Sequence, residues 1–350
     1  MSFAAAPRQV GAKSVVSILT RVLTKMTRPE YLGALLAAGK NRIIERGVLI
    51  IMHYGFIGLG NLGAKLAQRL IEAKFELTVF DLDESQMELM ASKGAHRAGS
   101  AASLAGAVDH VITCLPSPEI SSAVLNEILR SMRPSASLIE MSTISREDAL
   151  RFAGMADSAG VEFLELPVTG GVHLAARGEL TLLAGGSEAL LDIHRPAFEA
   201  MGNALFHMGP VGAASLIKVI TNMLAFVHLQ ACGEALMLAA RGGLDLGDSW
   251  RAIAASSGTS FVHETEGQLI LNGSYDIGFT MDLALKDLGF AKTFGEALNV
   301  PLELAGATLA RFNEAKAAYG GAAQSPMIVK LLEDALDTPL RASGFPASLT

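Results

Sequence analysis

The feature that most constrains this chain is a glycine turn between a short apolar run and an amphipathic stretch. The run 54–57 has the length and composition of a buried strand, and Gly58, Gly60 and Gly63 follow it at G-x-G-x-x-G spacing. From Ala64 onward, apolar residues recur at helical period. A strand, a glycine turn and a helix N-terminus in this order form the pyrophosphate site of dinucleotide-binding folds.

Glycine is needed at each of the three positions of the turn for a different physical reason. Gly58 permits the tight turn, Gly60 lets the backbone approach the phosphates, and Gly63 lets the helix pack closely on the strand. The first-turn N–H groups of the helix point at the anion. The predicted cofactor contacts of this turn are Gly58, Leu59, Gly60, Asn61, Leu62 and Gly63. The alternative is a structural βαβ turn that binds nothing.

An acidic residue strengthens the cofactor interpretation. Asp81 ends the second apolar run, 77–80, and lies 21 residues after Gly60. At that distance a carboxylate accepts from the ribose 2′-hydroxyl and repels a 2′-phosphate. No arginine follows within 82–87 to bind such a phosphate. The sequence therefore predicts NAD as the cofactor, with NADP as the weaker alternative.

Composition excludes several classes of protein. The chain has 350 residues, half of them hydrophobic and 18% charged, which is enough for two domains with a large core. The net charge of −7 argues against general nucleic-acid binding. The two cysteines, Cys114 and Cys232, cannot make a disulfide framework, so we expect a reducing, cytoplasmic compartment. We expect no metal site, because no metal-ligand spacing is visible, and no membrane span, because no long apolar window lacks a charge.

The first 51 residues differ in charge from the rest. They hold eight Lys or Arg and two acids, so they carry +6 and the remaining 299 residues carry −13. A basic, acid-poor leader of this kind resembles an organelle transit peptide. We favour the alternative that the natural chain starts at Met52 and that residues 1–51 are a dispensable extension.

From residue 52 the chain alternates short apolar runs with helical stretches, which predicts an α/β domain with a doubly wound parallel sheet over 52–212. The strand candidates are 54–58, 76–80, 109–114, 137–141, 161–165, 180–184 and 203–207. Ligands in such folds bind beyond the carboxyl ends of the strands. Leu115-Pro116, Thr143 and the loop that begins at Pro167 follow such ends.

After Gly212 the pattern becomes helical. Residues 213–241 hold no proline and predict one helix of about 43 Å at 1.5 Å per residue. Further helices are predicted at about 247–256, 260–271, 280–298, 301–318 and 325–336. We therefore predict an all-α domain over 213–338 that carries substrate-binding and oligomerisation surfaces, and a tail over 339–350.

Two lysines interrupt apolar helix faces. Lys218 lies in an apolar segment, with Asn222 one turn later on the same face. Burial lowers a lysine pKa, so this amine would exchange a proton near neutral pH; the alternative is a lysine whose ammonium reaches the surface. Lys286 replaces an apolar residue on a second stripe, and its neighbour Asp287 reads as a simple surface charge.

A third candidate is the loop that follows the fifth predicted strand. Thr169 supplies a hydroxyl, and Gly170 and Gly171 leave backbone N–H groups free, which together suit a carboxylate. An ordinary strand-to-loop turn is the alternative. The histidines show no metal-ligand spacing, and only His173, just after the loop, is placed to face a ligand.

These motifs together resemble the β-hydroxyacid dehydrogenase family, whose members include 3-hydroxyisobutyrate dehydrogenase and tartronate semialdehyde reductase. The resemblance covers roughly 52–335. Its motifs in order are the fingerprint 55–63, Leu115-Pro116, the D-x-S-T-like segment 141–144, the loop 167–181, the pattern G-x-x-x-x-x-K-x-x-x-N at 212–222, and F-x-x-x-L-x-x-K-D-L at 279–288. Departures include Thr169 where Ser is usual, Glu165-Leu166 for Asp-Ala, and His173 for a small residue.

The resemblance implies a role for each matched residue. Lys218 would be the catalytic acid/base and Asn222 would orient the substrate. The cradle for the substrate carboxylate would be Thr169, Gly170 and Gly171. Thr143 and Lys286 would lie at the nicotinamide end of the cofactor, and Leu115 and Pro116 would line its ribose.

We therefore expect an oxidoreductase that transfers a hydride between NAD and a small β-hydroxy acid, 3-hydroxyisobutyrate-like or glycerate-like. Relatives pair through the helical domain, which implies a homodimer or homotetramer. The alternatives are a non-catalytic dinucleotide-binding module, or an NADP-dependent semialdehyde or imine reductase. Lys218 argues against imine reductases, which usually lack it, and Thr221 argues against 6-phosphogluconate dehydrogenase, which has histidine there.

Overall fold

The computed structural model describes residues 42–45 and 48–349, and the chain falls into two compact units, Met1–Met52 and His53–Thr350. In the first unit, β1 (Arg42–Glu45) and β2 (Val48–Ile51) pair as an antiparallel hairpin. The rest of the predicted extension lies outside the described residues. Its dispensability stays a prediction.

The second unit is built on a nine-stranded sheet with the order β11-β10-β8-β7-β6-β3-β4-β5, and β9 pairs with β10. The strands are β3 (His53–Ile57), β4 (Glu76–Phe80), β5 (His96–Arg97), β6 (His110–Thr113), β7 (Ser137–Glu140), β8 (Glu162–Glu165), β9 (Val168–Thr169), β10 (Leu180–Gly186) and β11 (Gly202–Gly209). All seven predicted strands are present, and β5 and β9 were not predicted.

Seven helices connect these strands. They are α1 (Gly63–Glu72), α2 (Glu84–Ser92), α3 (Ala101–Ala107), α4 (Pro118–Ile128), α5 (Arg146–Ser158), α6 (Gly171–Arg177) and α7 (Glu188–Met201). Five of them begin at a Ser or Asp whose side chain accepts from a first-turn N–H, which fixes where each helix starts. These caps are Asp83, Ser100, Ser117, Ser145 and Ser187.

Strands β3 to β8 are parallel, as the doubly wound prediction requires. Strands β10 and β11 are parallel to each other, but β10 is antiparallel to β8. The reversal arises because the chain turns back at the carboxyl end of β8, through β9 and the short helix α6. It places both β9 and α6 at the edge of the sheet where ligands of parallel sheets bind.

The position of β3 decides where a ligand can lie. Strand β3 sits between β4 and β6, and the chain builds outward from it in both directions. This is a topological switch point, and open α/β sheets bind ligands outside the carboxyl ends of the strands there. The glycine turn follows β3, and Leu115-Pro116 follows β6, so both predicted cofactor segments meet at this crevice.

The remaining chain is helical, as predicted. Its helices are α8 (Ala213–Arg241), α9 (Leu246–Ala254), α10 (Phe261–Glu264), α11 (Glu266–Asn272), α12 (Met281–Leu298), α13 (Glu303–Tyr319) and α14 (Lys330–Leu336), with a 3-10 turn at Ser325–Ile328. The predicted helix 260–271 is broken at Thr265 into α10 and α11. The predicted helix 325–336 starts as a 3-10 turn, with Pro326 in its first turn.

The expected C-terminal tail is instead part of this helical core. Leu340 is fully buried, and the Arg341 guanidinium pairs with the buried Glu333 carboxylate at 2.9 Å. The ring of Phe345 packs edge-on against Trp250, with ring centroids 5.2 Å apart. The prediction was wrong because a short irregular segment carries no periodicity, although its contacts are with residues distant in sequence.

Helix α8 is the one helix of the described residues that is long and apolar enough to cross a membrane by length and composition. Core helices of soluble proteins also meet these criteria, and α8 packs against α12, α13 and strand β10. About a third of its most apolar window is buried. The expectation that no membrane is involved stays a prediction.

Candidate functional site

The glycine turn has the geometry that a pyrophosphate site requires. Gly58 has φ +99°, a conformation that favours glycine, and a Cβ there would lie 2.3 Å from the carbonyl oxygen of Cys114. A Cβ at Gly63 would lie 2.0 Å from the Gly58 carbonyl oxygen, so only glycine allows α1 this close. A Cβ at Gly60 would meet nothing within 4 Å. The turn is therefore tightly packed on the protein at Gly58 and Gly63 and open at Gly60, where a ligand can approach.

The helix end beside this turn suits an anion. Helix α1 has no side-chain cap at Leu62 and no acidic residue in its first turn. The positive end of its dipole therefore lies at the glycine turn with no acidic side chain in the first turn of the helix to offset it.

Asp81 stands beside the glycine turn, as predicted. Its Oδ2 accepts from the backbone N–H of Leu59 at 2.5 Å, and its Oδ1 accepts from the backbone N–H of Asp83 at 2.8 Å. These two bonds fix the carboxylate at the carboxyl end of β4. That is the place from which it reaches a ribose bound on the turn.

Lys218 is buried rather than turned toward solvent. It lies on α8, and the residue is only 8% exposed. Burial lowers the pKa of its amine from 10.5 to about 8, the nearby Asp287 carboxylate opposes this, and Lys286 adds to it. A lysine in this environment exchanges a proton close to neutral pH.

A chain of polar contacts leads from Lys218 to the edge of the sheet. The ammonium donates to Asn222 Oδ1 at 2.8 Å, and Asn222 Nδ2 donates to Asp287 Oδ2 at 2.6 Å. The Lys286 ammonium lies 3.4 Å from Asp287 Oδ1 and donates to the carbonyl oxygen of Thr143 at 2.8 Å. The helices α8 and α12 and the loop after β7 therefore meet in one network.

Asp287 corrects an expectation. It was interpreted as a surface charge, but it is only 1% exposed and sets the orientation of the Asn222 amide. The sequence carried a signal for this burial, because Asp287 is four residues after Leu283 and three before Phe290, a spacing that places the three residues on one face of α12. A shift of one position on a helix separates its buried face from its exposed face. Helical periodicity alone therefore did not decide whether Asp287 is buried.

The predicted substrate loop starts a short helix. Gly170 has φ +126° and Gly171 has φ +83°, so both positions require glycine, and α6 begins there. Thr169 belongs to β9, which pairs with β10 and packs against α8. The loop and the lysine helix are thus neighbours, although no direct bond joins Lys218 to the loop.

The other cofactor segments meet at the crevice as well. The Leu115 backbone N–H donates to Ser142 Oγ at 2.8 Å, which ties the turn after β6 to the turn after β7. Pro116 and Thr143 continue these two turns. Beneath them Glu140 is fully buried, accepts from the Ser142 N–H at 2.8 Å, and has its pKa raised by burial. Glu140 and Ser142 were not predicted as site residues.

A second carboxylate was also missed. Glu165 ends β8, is fully buried, and accepts hydrogen bonds from the first turn of α8. The sequence signals were an acid at the end of an apolar strand, four residues before Thr169, and the departure of Glu165-Leu166 from the Asp-Ala pair that is usual there.

At the opposite end of the strands, four side chains form a buried chain of hydrogen bonds. The Tyr54 hydroxyl meets His194 Nδ1 at 2.8 Å, His194 Nε2 meets Ser137 Oγ at 2.9 Å, and Ser137 Oγ meets His110 Nδ1 at 2.9 Å. Burial lowers the pKa of His110 to about 4 and holds the pKa of His194 well below its usual value. This chain is structural, since it lies away from the crevice.

Comparison with known proteins agrees with these features. Residues 53–209 match the model of the NAD binding domain of 6-phosphogluconate dehydrogenase, and residues 212–332 match that of the NAD-binding domain of NADP-dependent 3-hydroxyisobutyrate dehydrogenase. The 2-(hydroxymethyl)glutarate dehydrogenase of Eubacterium barkeri is 31% identical over 80% of this chain and 94% of its own length. The chain belongs to the β-hydroxyacid dehydrogenase family.

Other β-hydroxyacid dehydrogenases support this placement. The NAD-dependent L-serine dehydrogenase of Pseudomonas aeruginosa is 34% identical over 69% of this chain and 85% of its own length. The crystal structure of 3-hydroxyisobutyrate dehydrogenase from Salmonella typhimurium superposes with a TM-score of 0.75 at 30% identity, and covers 80% of this chain and 99% of that one. The first 52 residues of this chain lie outside both matched family models.

Proposed function

We propose that this β-hydroxyacid dehydrogenase interconverts a small β-hydroxy acid and its semialdehyde or keto partner, with Lys218 as the general acid/base. The observation that carries the proposal is the buried Lys218 ammonium, hydrogen-bonded to Asn222 beside the cofactor crevice. The names of the relatives, which act on small hydroxy acids, support the substrate class.

Lys218 does the proton chemistry in both directions. In oxidation the neutral amine takes the proton of the substrate hydroxyl, and in reduction the ammonium returns it. The Lys218 ammonium and the Asn222 amide together stabilise negative charge that develops on the substrate oxygen. The Asp287 carboxylate keeps the Asn222 amide in one orientation, so its oxygen faces the lysine.

The residues of the crevice fit a dinucleotide. Gly58 and Gly63 let the turn pack tightly on the protein, Gly60 leaves its outer side open for a pyrophosphate, and Asp81 lies beside the turn, where it would accept from the adenosine ribose. The bound cofactor would supply the hydride chemistry, with NAD⁺ as the acceptor in oxidation and NADH as the donor in reduction. We propose NAD over NADP, because a carboxylate at position 81 repels a 2′-phosphate.

The substrate carboxylate has a proposed place in the loop. Thr169, Gly170 and Gly171 present a hydroxyl and backbone N–H groups in a conformation that suits an oxyanion. Strand β9 brings this cradle against α8, so a substrate held there lies beside the lysine helix.

The size of the substrate is limited by His173. Its imidazole stacks on Phe261, with ring centroids 6.2 Å apart and 17° between the planes. The ring lies 3.2 Å from where a Cβ on Gly171 would be. Burial and the neighbouring Arg177 lower the pKa of His173, so the ring is neutral at pH 7 and adds no charge. We propose a substrate with a small, uncharged substituent.

The reaction is tested by offering the purified protein a panel of β-hydroxy acids with NAD and following NADH absorbance. We expect turnover of at least one small member with an uncharged substituent, such as 3-hydroxyisobutyrate or glycerate. The absence of turnover across the panel in both directions contradicts the proposed reaction.

We propose that the protein assembles as a homodimer or homotetramer through its helical domain. An exposed apolar stripe runs along α8 through Ile220, Leu224 and Leu238, and Leu238 is 76% exposed. Exposed patches of this kind mark interaction surfaces. Light scattering at micromolar concentration should give a multiple of 36.6 kDa, and Leu238→Glu should weaken the assembly. A monomeric mass for the unaltered protein contradicts the proposal.

We also propose a cytoplasmic location. Both cysteines, Cys114 and Cys232, are free, and burial raises the pKa of each thiol to about 12. Unpaired cysteines are typical of reducing compartments. Fractionation of cells that make the full chain tests the location, and recovery in an organelle would favour the transit-peptide interpretation instead.

A further inference from the structure

The carboxylate of Glu165 is enclosed by the first turn of α8. Its Oε1 accepts from the backbone N–H of Gly212 at 2.7 Å and of Ala214 at 2.9 Å. Its Oε2 accepts from the Ser215 N–H at 3.1 Å and from the Ser215 hydroxyl. Four donors from one helical turn therefore converge on one side chain that belongs to a strand of the other domain.

Helix α8 depends on this carboxylate for its N-terminus. It has no side-chain cap of its own, since Gly212 stands at the cap position, and it has no acid in its first turn. The first N–H groups of a helix lack intrahelical partners, and the positive end of its dipole favours a negative charge there. Glu165 supplies both the acceptors and the charge from outside the helix.

The same residue leads directly into the proposed substrate cradle. Glu165 is the last residue of β8, and Thr169 follows four residues later. Lys218 follows Ser215, one of the enclosed donors, by three residues on α8. One side chain therefore stands at the start of the loop that would hold the substrate and at the start of the helix that carries the lysine.

We propose that Glu165 is a positioning residue that fixes the first turn of α8 to the end of β8 and so sets the place of Lys218 relative to the cradle Thr169–Gly171. The proposal rests on the proposed function for the role of the cradle. It makes the carboxylate responsible for alignment between the domains, and assigns it no contact with the substrate.

Gly185 offers a way to disturb this contact without altering Glu165. It lies on β10 directly opposite Glu165 in the sheet register. A Cβ on Gly185 would lie 2.1 Å from Glu165 Oε1 and 2.9 Å from its Cγ and Cδ. The φ of Gly185 is one that alanine adopts without strain, so Gly185→Ala acts by displacing the carboxylate.

The variants to compare are Glu165→Gln, Glu165→Asp and Gly185→Ala. Glutamine keeps the size of the side chain but turns an amide N–H₂ toward backbone donors, and aspartate keeps the charge but is one carbon shorter. Asp245→Asn is the matched control, because Asp245 accepts from the Asp248 N–H at 2.7 Å to cap α9, which contributes no residue to the site.

With the substrate that the panel identifies, Glu165→Gln and Gly185→Ala should each lower kcat at least tenfold and raise the KM of the hydroxy acid. The Kd of NADH should stay within twofold, and Glu165→Asp should lie between Glu165→Gln and the unaltered protein. Asp245→Asn should change none of these constants. If both principal variants keep kcat and KM, the carboxylate is only a helix cap and the proposal is overturned.

A second measurement needs no turnover. The protonation of Lys218 is read from its rate of modification by an amine-reactive reagent as a function of pH, with mass spectrometry of the labelled peptide. Displacing the helix start should expose Lys218 and move its midpoint up toward the ordinary value of 10.5 in Glu165→Gln and Gly185→Ala. If the pH midpoint of Lys218 modification is unchanged in both variants, the proposal is overturned. If the unaltered protein turns over no hydroxy acid, the proposed function fails, while this labelling experiment still decides the role of Glu165.

The proposal can still be tested if one of the variants does not fold. If Glu165→Gln is insoluble, Gly185→Ala and Glu165→Asp still give both readouts, since each keeps the carboxylate. A normal Lys218 midpoint in folded Gly185→Ala then counts against the proposal, and a raised midpoint supports it.

Discussion

The ammonium of Lys286 donates a hydrogen bond of 2.8 Å to the backbone carbonyl of Thr143. This bond crosses from α12 of the helical domain to the turn after β7 of the sheet. It lies at the end of the crevice where the resemblance places the nicotinamide. Lys286 also stands 3.4 Å from Asp287, so the same side chain connects the crevice to the network of the buried Lys218.

The first prediction concerns Lys218. Lys218→Ala should lower kcat by about 10²–10⁴-fold, the usual contribution of general acid–base catalysis. Lys218→Arg should not restore activity, because a guanidinium does not release its proton near neutral pH. The Kd of NADH should change little, since the glycine turn is untouched. Steady-state kinetics and a fluorescence titration measure both effects.

The pH dependence of the reaction gives a second test of Lys218. The neutral amine is the base form, so kcat/KM for oxidation should rise with pH through a pKa of about 8 and then level off. This limb should be missing in Lys218→Ala. Lys292→Ala, which removes an exposed lysine paired with Glu296 on α12, is the control and should keep the limb. More than a tenth of the normal kcat in Lys218→Ala would rule the lysine out as acid/base.

The second prediction concerns Asp81. The unaltered protein should prefer NAD over NADP in kcat/KM, and Asp81→Ala should reduce that preference, since the carboxylate no longer repels the 2′-phosphate. Asp83→Ala is the matched control, because Asp83 caps α2 two residues away and should leave the preference unchanged. A native preference for NADP would show that Asp81 is wrongly assigned.

The third prediction concerns the size of the substrate. His173→Ala removes the ring that stacks on Phe261 and should raise kcat/KM for hydroxy acids with a longer substituent, relative to the smallest, by roughly tenfold. Arg195→Ala, which removes an arginine paired with Asp192 on α7, is the control and should leave the ratio unchanged. An unchanged ratio in His173→Ala would show that the ring does not border the substrate.

The fourth prediction concerns acid stability. His110 and His194 are held neutral in the folded state, so each binds a proton more readily when the chain is unfolded. Their contribution to the free energy of unfolding is full above about pH 6.5 and is lost as the pH falls toward 4. The slope is at most about 1.4 kcal/mol per pH unit for each histidine. Urea unfolding between pH 7.5 and 4.5 should show a smaller slope in His110→Phe.

The fifth prediction concerns the N-terminal 51 residues. A chain that starts at Met52 should keep the kcat, KM and melting temperature of the full chain, because the site is built from residues after 52. Differential scanning calorimetry and steady-state kinetics on both chains make the comparison. A melting temperature several degrees lower in the shorter chain would show that the segment stabilises the fold.

Local signals predicted most of the fold. The bounds of α8, 213–241, follow from glycines at both ends and the absence of proline between them. The glycine turn and the place of Asp81 beside it could be predicted, because the strand, the turn and the acid lie within 30 residues of one another. Strand β9 could not be predicted, because two residues carry no periodicity and a helix separates β9 in sequence from its partner β10.

The parts of the site that the sequence did not reveal depend on distant contacts. Glu165 meets donors 47 to 50 residues away, and Asn222 meets Asp287 at a separation of 65. Whether an acid is buried and bonded, or exposed, depends on which distant groups the fold brings to it. Motif spacing along the chain does not report this.

The close fit of Gly185 against Glu165 has an evolutionary consequence. Because a single added carbon at position 185 would occupy the space of the carboxylate, position 185 is not free to change while glutamate stays at 165. A lineage that acquires a larger residue at 185 should first shorten or lose the acid at 165. Substitutions at these two sites should therefore appear as a linked pair in descendants of this enzyme, and a library that randomises both together should recover combinations that neither single-site library contains.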